Sequence, residues 1–92
     1  MAYPMRPPEE ARSTASYVKH NHSSPPGHIS RKHEGRELQQ LGVDASSYTE
    51  YDIYAYDPSV NRAPERIVVD NNNRVYYTND HYRTFWRMMF VN

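Results

Sequence analysis

The sequence predicts an α+β fold, one short N-terminal helix packed on a twisted antiparallel β-sheet, and three observations predict it. A helix-patterned segment, PEEARSTASYVK, stands near the start. From residue 48 onward, strand formers gather in short runs such as YTEYDIYAY and RIVVD. Turn residues separate those runs, at Asp57-Pro58, at Asn71 to Asn73 and at Asn79-Asp80. A helix followed by strands, without β-α-β alternation, belongs to the segregated α+β class rather than the α/β class.

Residues 1 to 8 carry three prolines and are expected to be an extended, flexible tail. The helix is expected from Pro8 to about Lys19. Pro8, Glu9 and Glu10 suit a helix N-terminus, and Ala11, Ala15 and Val18 fall at i, i+4 and i+7, a narrow apolar stripe for packing on a sheet. HNHSSPPG reads as a loop, and His28 to His33 as a short first strand. A further loop spans Gly35 to Ser47, with a turn of helix around Leu38 to Leu41. The meander then runs through strands Tyr48 to Tyr56, Arg66 to Asp70, Arg74 to Thr78 and Thr84 to Phe90.

Strand parity converts these runs into faces. Tyr51, Ile53 and Ala55 share one side, and Glu50, Asp52 and Tyr54 the other. Ile67 and Val69 pair with Val75 and Tyr77 on the apolar side, which leaves Arg66, Val68, Arg74 and Tyr76 opposite. The expected sheet has a dry face under the helix and a charged face carrying Glu50, Asp52 and Arg66.

Composition bounds what such a domain can do. The 92 residues suffice for a single small domain, taken as residues 1–92, with a thin core. A mean hydropathy of −1.02 is low, but nine tyrosines supply core area that a disordered chain lacks. With no cysteine, disulfide scaffolds and thiolate metal sites are excluded. Eleven basic and eleven acidic side chains cancel, so attraction to nucleic acid must come from a local cluster. No apolar run is long enough to cross a bilayer. His20, His22, His28 and His33 lie in or beside loops without a clear carboxylate partner, and solvated histidines explain them better than a metal site. No metal and no cofactor is expected.

A carboxylate, a histidine and clustered arginines are sufficient to cleave RNA. A carboxylate removes the ribose 2′-hydroxyl proton, an imidazolium protonates the departing 5′-oxygen, and guanidinium groups neutralise the phosphoryl oxygens. Glu50, His81, Arg62 and Arg66 are of the right types. The same residues also fit a bland account, in which Glu50 is a solvated strand charge and the two arginines pair with Asp52 and Glu65. From the residues alone, a catalytic domain and a small interaction domain both remain open.

Resemblance favours the first. YTEYDI, then Arg62 and Arg66 four apart, then RIV and YYTNDHYRTF closely resemble the C-terminal half of the microbial guanyl-specific ribonucleases, the family of barnase and Streptomyces type. The likeness covers Tyr48 to Phe85, and GHISRKHEG upstream resembles the family's base-recognition loop. It implies Glu50 as general base, His81 as general acid, Arg62 and Arg66 on the scissile phosphate, and Tyr82 beside them. It implies a structural Asp52 that braces Arg62. Glu34 would accept hydrogen bonds from guanine, with backbone groups of Arg31, Lys32 and His33 reading the base's other edge. The family usually carries Asn and Arg before the recognition glutamate, where this chain has Lys32 and His33. A family lysine aimed at the phosphate has no evident counterpart beyond Lys32 or Lys19.

The resemblance thus implies a metal-independent endoribonuclease that cleaves single-stranded RNA 3′ to guanosine through a 2′,3′-cyclic phosphate. Such an activity is lethal to its producer. It implies a monomeric toxin domain of a larger protein, secreted or delivered into a target-cell cytoplasm, and an inhibitor or immunity protein of barstar type. The alternative is a catalytically silent RNA- or protein-binding module on the same fold.

Overall fold

A computed structural model of the chain describes residues 7–89. It contains α1 (Glu9–Asn21), β1 (Ser30–His33), α2 (Arg36–Gln40), β2 (Tyr48–Asp52), β3 (Arg66–Asp70), β4 (Val75–Thr78) and β5 (Trp86–Met88). The strands form one antiparallel sheet in the order β1-β2-β3-β4-β5, a simple meander. The expected α+β architecture is therefore present. Most of the predicted tail, residues 1–6, lies outside the described residues, as does Phe90 at the predicted end of the last strand.

Helix α1 starts after Pro8, with Glu9 and Glu10 in its first turn, where acidic groups oppose the positive end of the helix dipole. It runs two residues past the expected end and closes at His22, whose left-handed backbone lets its N–H bond the Val18 carbonyl at 2.7 Å. Ala11, Ala15 and Val18 are buried, and the two alanines bring the helix close to the sheet. Beneath them lie Tyr51, Ile53, Ile67, Val75 and Tyr77, as the parity rule anticipates, joined by Met88, which it does not place. The register agrees, with Ile67 opposite Tyr77 and Val69 opposite Val75.

The other face is not simply charged. Leu38 of α2 packs with Tyr48, Val68, Tyr76 and Phe85 into a second apolar cluster over one end of the sheet. Gly35, with φ +77°, makes this possible, because a Cβ there would overlap the Tyr48 ring. The other end of this face carries the charged residues Glu50, Asp52 and Arg66, which are themselves largely buried.

Several boundaries differ from expectation. β2 ends at Asp52 rather than Tyr56, because Asp52 is the last residue with a partner in β3, namely Arg66. Tyr54, Ala55 and Tyr56 are consequently exposed loop residues, and Ala55 is not part of the core. β1 begins at Ser30; His28 instead has its Nδ1 2.9 Å from the Asp52 carbonyl. Arg74 lies in the β3–β4 turn, where its Nε bonds Asp70 at 2.8 Å. Thr84 and Phe85 precede β5, which is three residues long.

Candidate active site

Alternation along β2 puts Glu50 and Asp52 on the face opposite α1, two residues apart. Glu50 is only 7% exposed and is surrounded by donors. The Tyr82 hydroxyl donates to its Oε2 at 2.5 Å, and His33 Nδ1 lies 3.3 Å from its Oε1. Arg31 Nε is 3.5 Å and Arg66 Nε 4.0 Å from Oε2. Burial pushes the Glu50 carboxyl up, but the hydrogen bonds from His33 and Tyr82 and the Arg31 charge outweigh it, holding the group below its ordinary value. Glu50 is thus a carboxylate kept ionised in a largely dry setting.

Asp52 gathers the two arginines. Arg62 donates from both Nε and an Nη to its two oxygens, at 2.8 and 2.7 Å, the fork geometry that carboxylates favour. Arg66 Nε forms an ion pair with Oδ1 at 2.9 Å. Arg66 is also tied to backbone, with one Nη donating to the Ala63 and Glu65 carbonyls. Its side chain is 5% exposed, against 31% for Arg62. The brace on Arg62 is the one expected of Asp52, and it extends to Arg66.

His81 and Tyr82 come from the loop between β4 and β5. Both have positive φ, +58° and +77°, a conformation that costs non-glycine residues energy. Side chains on either side hold it. Asp80 Oδ1 accepts the Thr78 hydroxyl at 3.0 Å and the N–H groups of Arg83 and Thr84 at 3.1 and 2.8 Å. Thr78 Oγ1 in turn accepts the Tyr82 N–H at 3.1 Å. Phe85, 1% exposed, pins the loop to the second core. The result sets the Tyr82 ring between two imidazoles, 4.6 Å from His81 and 4.7 Å from His33 by centroids. Burial, together with the bond to Glu50, pushes the Tyr82 hydroxyl up, so it remains a donor. His81 itself is exposed.

The predicted recognition residues divide. Glu34 is exposed at the end of β1 and pairs with Arg36 at 2.9 Å. With Lys32, His33, Arg36, Glu37 and Glu50 it lines a recess of 240 Å³. Arg31, Lys32 and His33 belong to a strand, not to a free loop. In register they oppose Glu50, Thr49 and Tyr48, so Arg31 and His33 turn their side chains toward Glu50 while Lys32 falls on the alternate face. His33 is 8% exposed, between Glu50 and Glu37, whose Oε2 is 3.7 Å from its Nε2. These two side-chain contacts went unrecognised at sequence level. The signal was parity again, since residues 31 and 33 share a face, but it needed the β1–β2 register. Arg83 is exposed, whereas Arg87 packs over the Tyr76 ring at 5.7 Å. Among the described residues, no three His, Asp or Glu side chains are placed to hold a metal.

The site therefore brings an ionised carboxylate, three guanidinium groups, a hydroxyl donor and an exposed imidazole onto one end of one sheet. The family model described as ribonuclease matches residues 5–89. Helix, five-stranded antiparallel sheet and match together define an endoribonuclease by class. The chain belongs to this family, the microbial ribonucleases that include the barnase-like enzymes. No curated protein matches it. No helix among the described residues is long and apolar enough to cross a membrane.

Proposed function

We propose that the protein cleaves single-stranded RNA on the 3′ side of guanosine, without metal, and that it is the toxin part of a larger secreted or delivered protein. Glu50 takes the proton from the 2′-hydroxyl as O2′ attacks phosphorus, and His81 gives a proton to the 5′-oxygen as the P–O5′ bond breaks. Arg62 and Arg66 offset the charge on the phosphoryl oxygens, and Tyr82 borders the phosphate. The products are a 2′,3′-cyclic phosphate and a free 5′-hydroxyl.

The observation that carries this proposal is the setting of Glu50: a nearly buried carboxylate, held ionised, with Arg66 4.0 Å away and Tyr82 linking it to the exposed His81. A general base needs that charge state, and a phosphate needs those cations. The recess shared by Glu34 and Glu50 is where a guanine would lie, with the Glu34 carboxylate accepting from N1 and the exocyclic amine. An inhibitor that covers this cationic end would present carboxylates.

The dinucleotides of guanosine and of adenosine with a 3′-linked uridine test the assignment, in buffer containing chelator. The guanosine substrate is expected to give the cyclic phosphate, and its 2′-deoxy analogue to remain intact. Glu34→Ala is expected to lower the guanosine-to-adenosine ratio of kcat/KM by about 10- to 100-fold, the worth of one or two hydrogen bonds to a charged group. An unchanged ratio would move base recognition elsewhere. Intact guanosine substrate at high enzyme concentration would favour a silent binding module.

A further inference from the structure

We infer that Arg31 is a third phosphate-binding guanidinium, acting through its side chain, and that it follows negative charge from Glu50 to the phosphoryl group during the reaction. This rests on Glu50 being the general base. It differs from the expectation that Arg31 contributes a backbone group to base recognition.

Three observations support it. Arg31 lies directly opposite Glu50 across the β1–β2 ladder, and its Nε is 3.5 Å from Oε2. Its side chain is 52% exposed, so its guanidinium borders solvent where a substrate enters. The other two arginines have less to offer: Arg62 spends two donors on Asp52, and Arg66 is 5% exposed, with one Nη bound to carbonyls and Nε against Asp52. Arg31 has no such brace among the described contacts.

The chemistry makes this position useful. Before reaction, the negative charge near Arg31 is on Glu50. When Glu50 takes the 2′-hydroxyl proton, that carboxyl becomes neutral and the equatorial oxygens of the phosphorane gain charge. The attacking 2′-oxygen contacts Glu50 while it bonds to phosphorus, so both groups are within reach of one guanidinium. Arg31 exchanges a partner that is losing charge for one that is gaining it. Such an interaction strengthens toward the transition state, and it raises kcat rather than tightening ground-state binding.

The charged and titratable groups facing Glu50 are Arg31 and His33 from β1, Arg66 from β3, and Tyr82 from the β4–β5 loop; Glu37 of α2 stands behind His33. Arg31 is among the groups that keep Glu50 ionised, so its loss should also move the acid limb of the pH–rate profile to higher pH.

The test is steady-state cleavage of the guanosine–uridine dinucleotide by the whole protein, with Arg31→Gln, Arg31→Lys and Glu50→Gln, across pH. Arg31→Gln is expected to lower kcat about 10- to 100-fold with KM within about threefold. Its acid limb should shift up, its thermal midpoint should fall by only a few degrees, as for the loss of a half-exposed ion pair, and Arg31→Lys should recover part of kcat. Arg31→Gln with kcat within about twofold of the parent would overturn the inference. So would a loss confined to KM, which marks ground-state binding alone. Glu50→Gln separates the two levels: if it keeps full activity, the general-base assignment fails, whereas its inactivity beside a fully active Arg31→Gln refutes the role of Arg31 alone.

Discussion

Glu50→Gln is expected to lower kcat by about 10²- to 10⁴-fold, the usual contribution of a positioned general base, while the protein stays folded. Glutamine keeps the size of the side chain and an oxygen for the Tyr82 hydroxyl, but it cannot accept a proton at catalytic pH. The fold survives because the principal restraint on Arg62 and Arg66 is Asp52, not Glu50. The pH dependence has a defined sign. Glu50 is held below its ordinary value of 4.5, so it remains a working base as the pH falls through that value, and the rate drops only at lower pH. By linkage, its contribution to stability is present above the ordinary carboxylate value and is lost as the pH falls through the lowered one. With His81 as the proposed general acid, the full profile is expected to be bell-shaped. A monotonic profile, or a Glu50→Gln enzyme within about tenfold of the parent, would contradict this pairing of roles.

Asp52→Ala should act on stability first, by about 3–5 kcal/mol, because it strands the charge of a buried arginine. The Asp52 side chain is 9% exposed and that of Arg66 5%, so little water can replace the lost carboxylate. Arg62, at 31%, can swing into solvent and contributes less of the loss. For a domain of this size the change is a large fraction of the total, and the thermal midpoint should fall by roughly 15–30 °C. Urea unfolding measures it, and a loss below about 1 kcal/mol would show that Asp52 does not brace the arginines. Residual activity in the folded fraction should also fall, because Arg62 loses its forked anchor, although Arg66 keeps its carbonyl contacts.

The two mutations are expected to separate neighbours on one strand face into a chemical and a structural role, a division implied by the family resemblance, while the face they share is legible in the sequence pattern itself. Alternation along YTEYDI, RIVVD and RVYYT sorts Ile53, Ile67 and Val75 from Glu50, Asp52 and Arg66 without any coordinates. The limits are equally physical. Tyr54 and Tyr56 have the composition of a strand, but strand propensity needs a neighbour, and β3 offers none beyond Arg66. Leu38 anchors a second core from a helix of five residues, too short to show a period, and the adjacent Leu41 is exposed. The contacts of Arg31 and His33 with Glu50 depend on the register of β1, which four residues of mostly charged sequence specify weakly. The left-handed pair His81-Tyr82 is set by side-chain bonds from Thr78 and Asp80, an arrangement no propensity scale contains.

If the proposed mechanism holds, one phosphate lies between Glu50, His81 and the arginines, and a structure with guanosine 3′-monophosphate bound would reveal it. Phosphate oxygens are expected within hydrogen-bond distance of Arg62, Arg66 and His81, with the 2′-hydroxyl on Glu50 and the base beside Glu34. A nucleotide seated instead on the α1 side of the sheet, or with its phosphate away from Glu50, would contradict the mechanism.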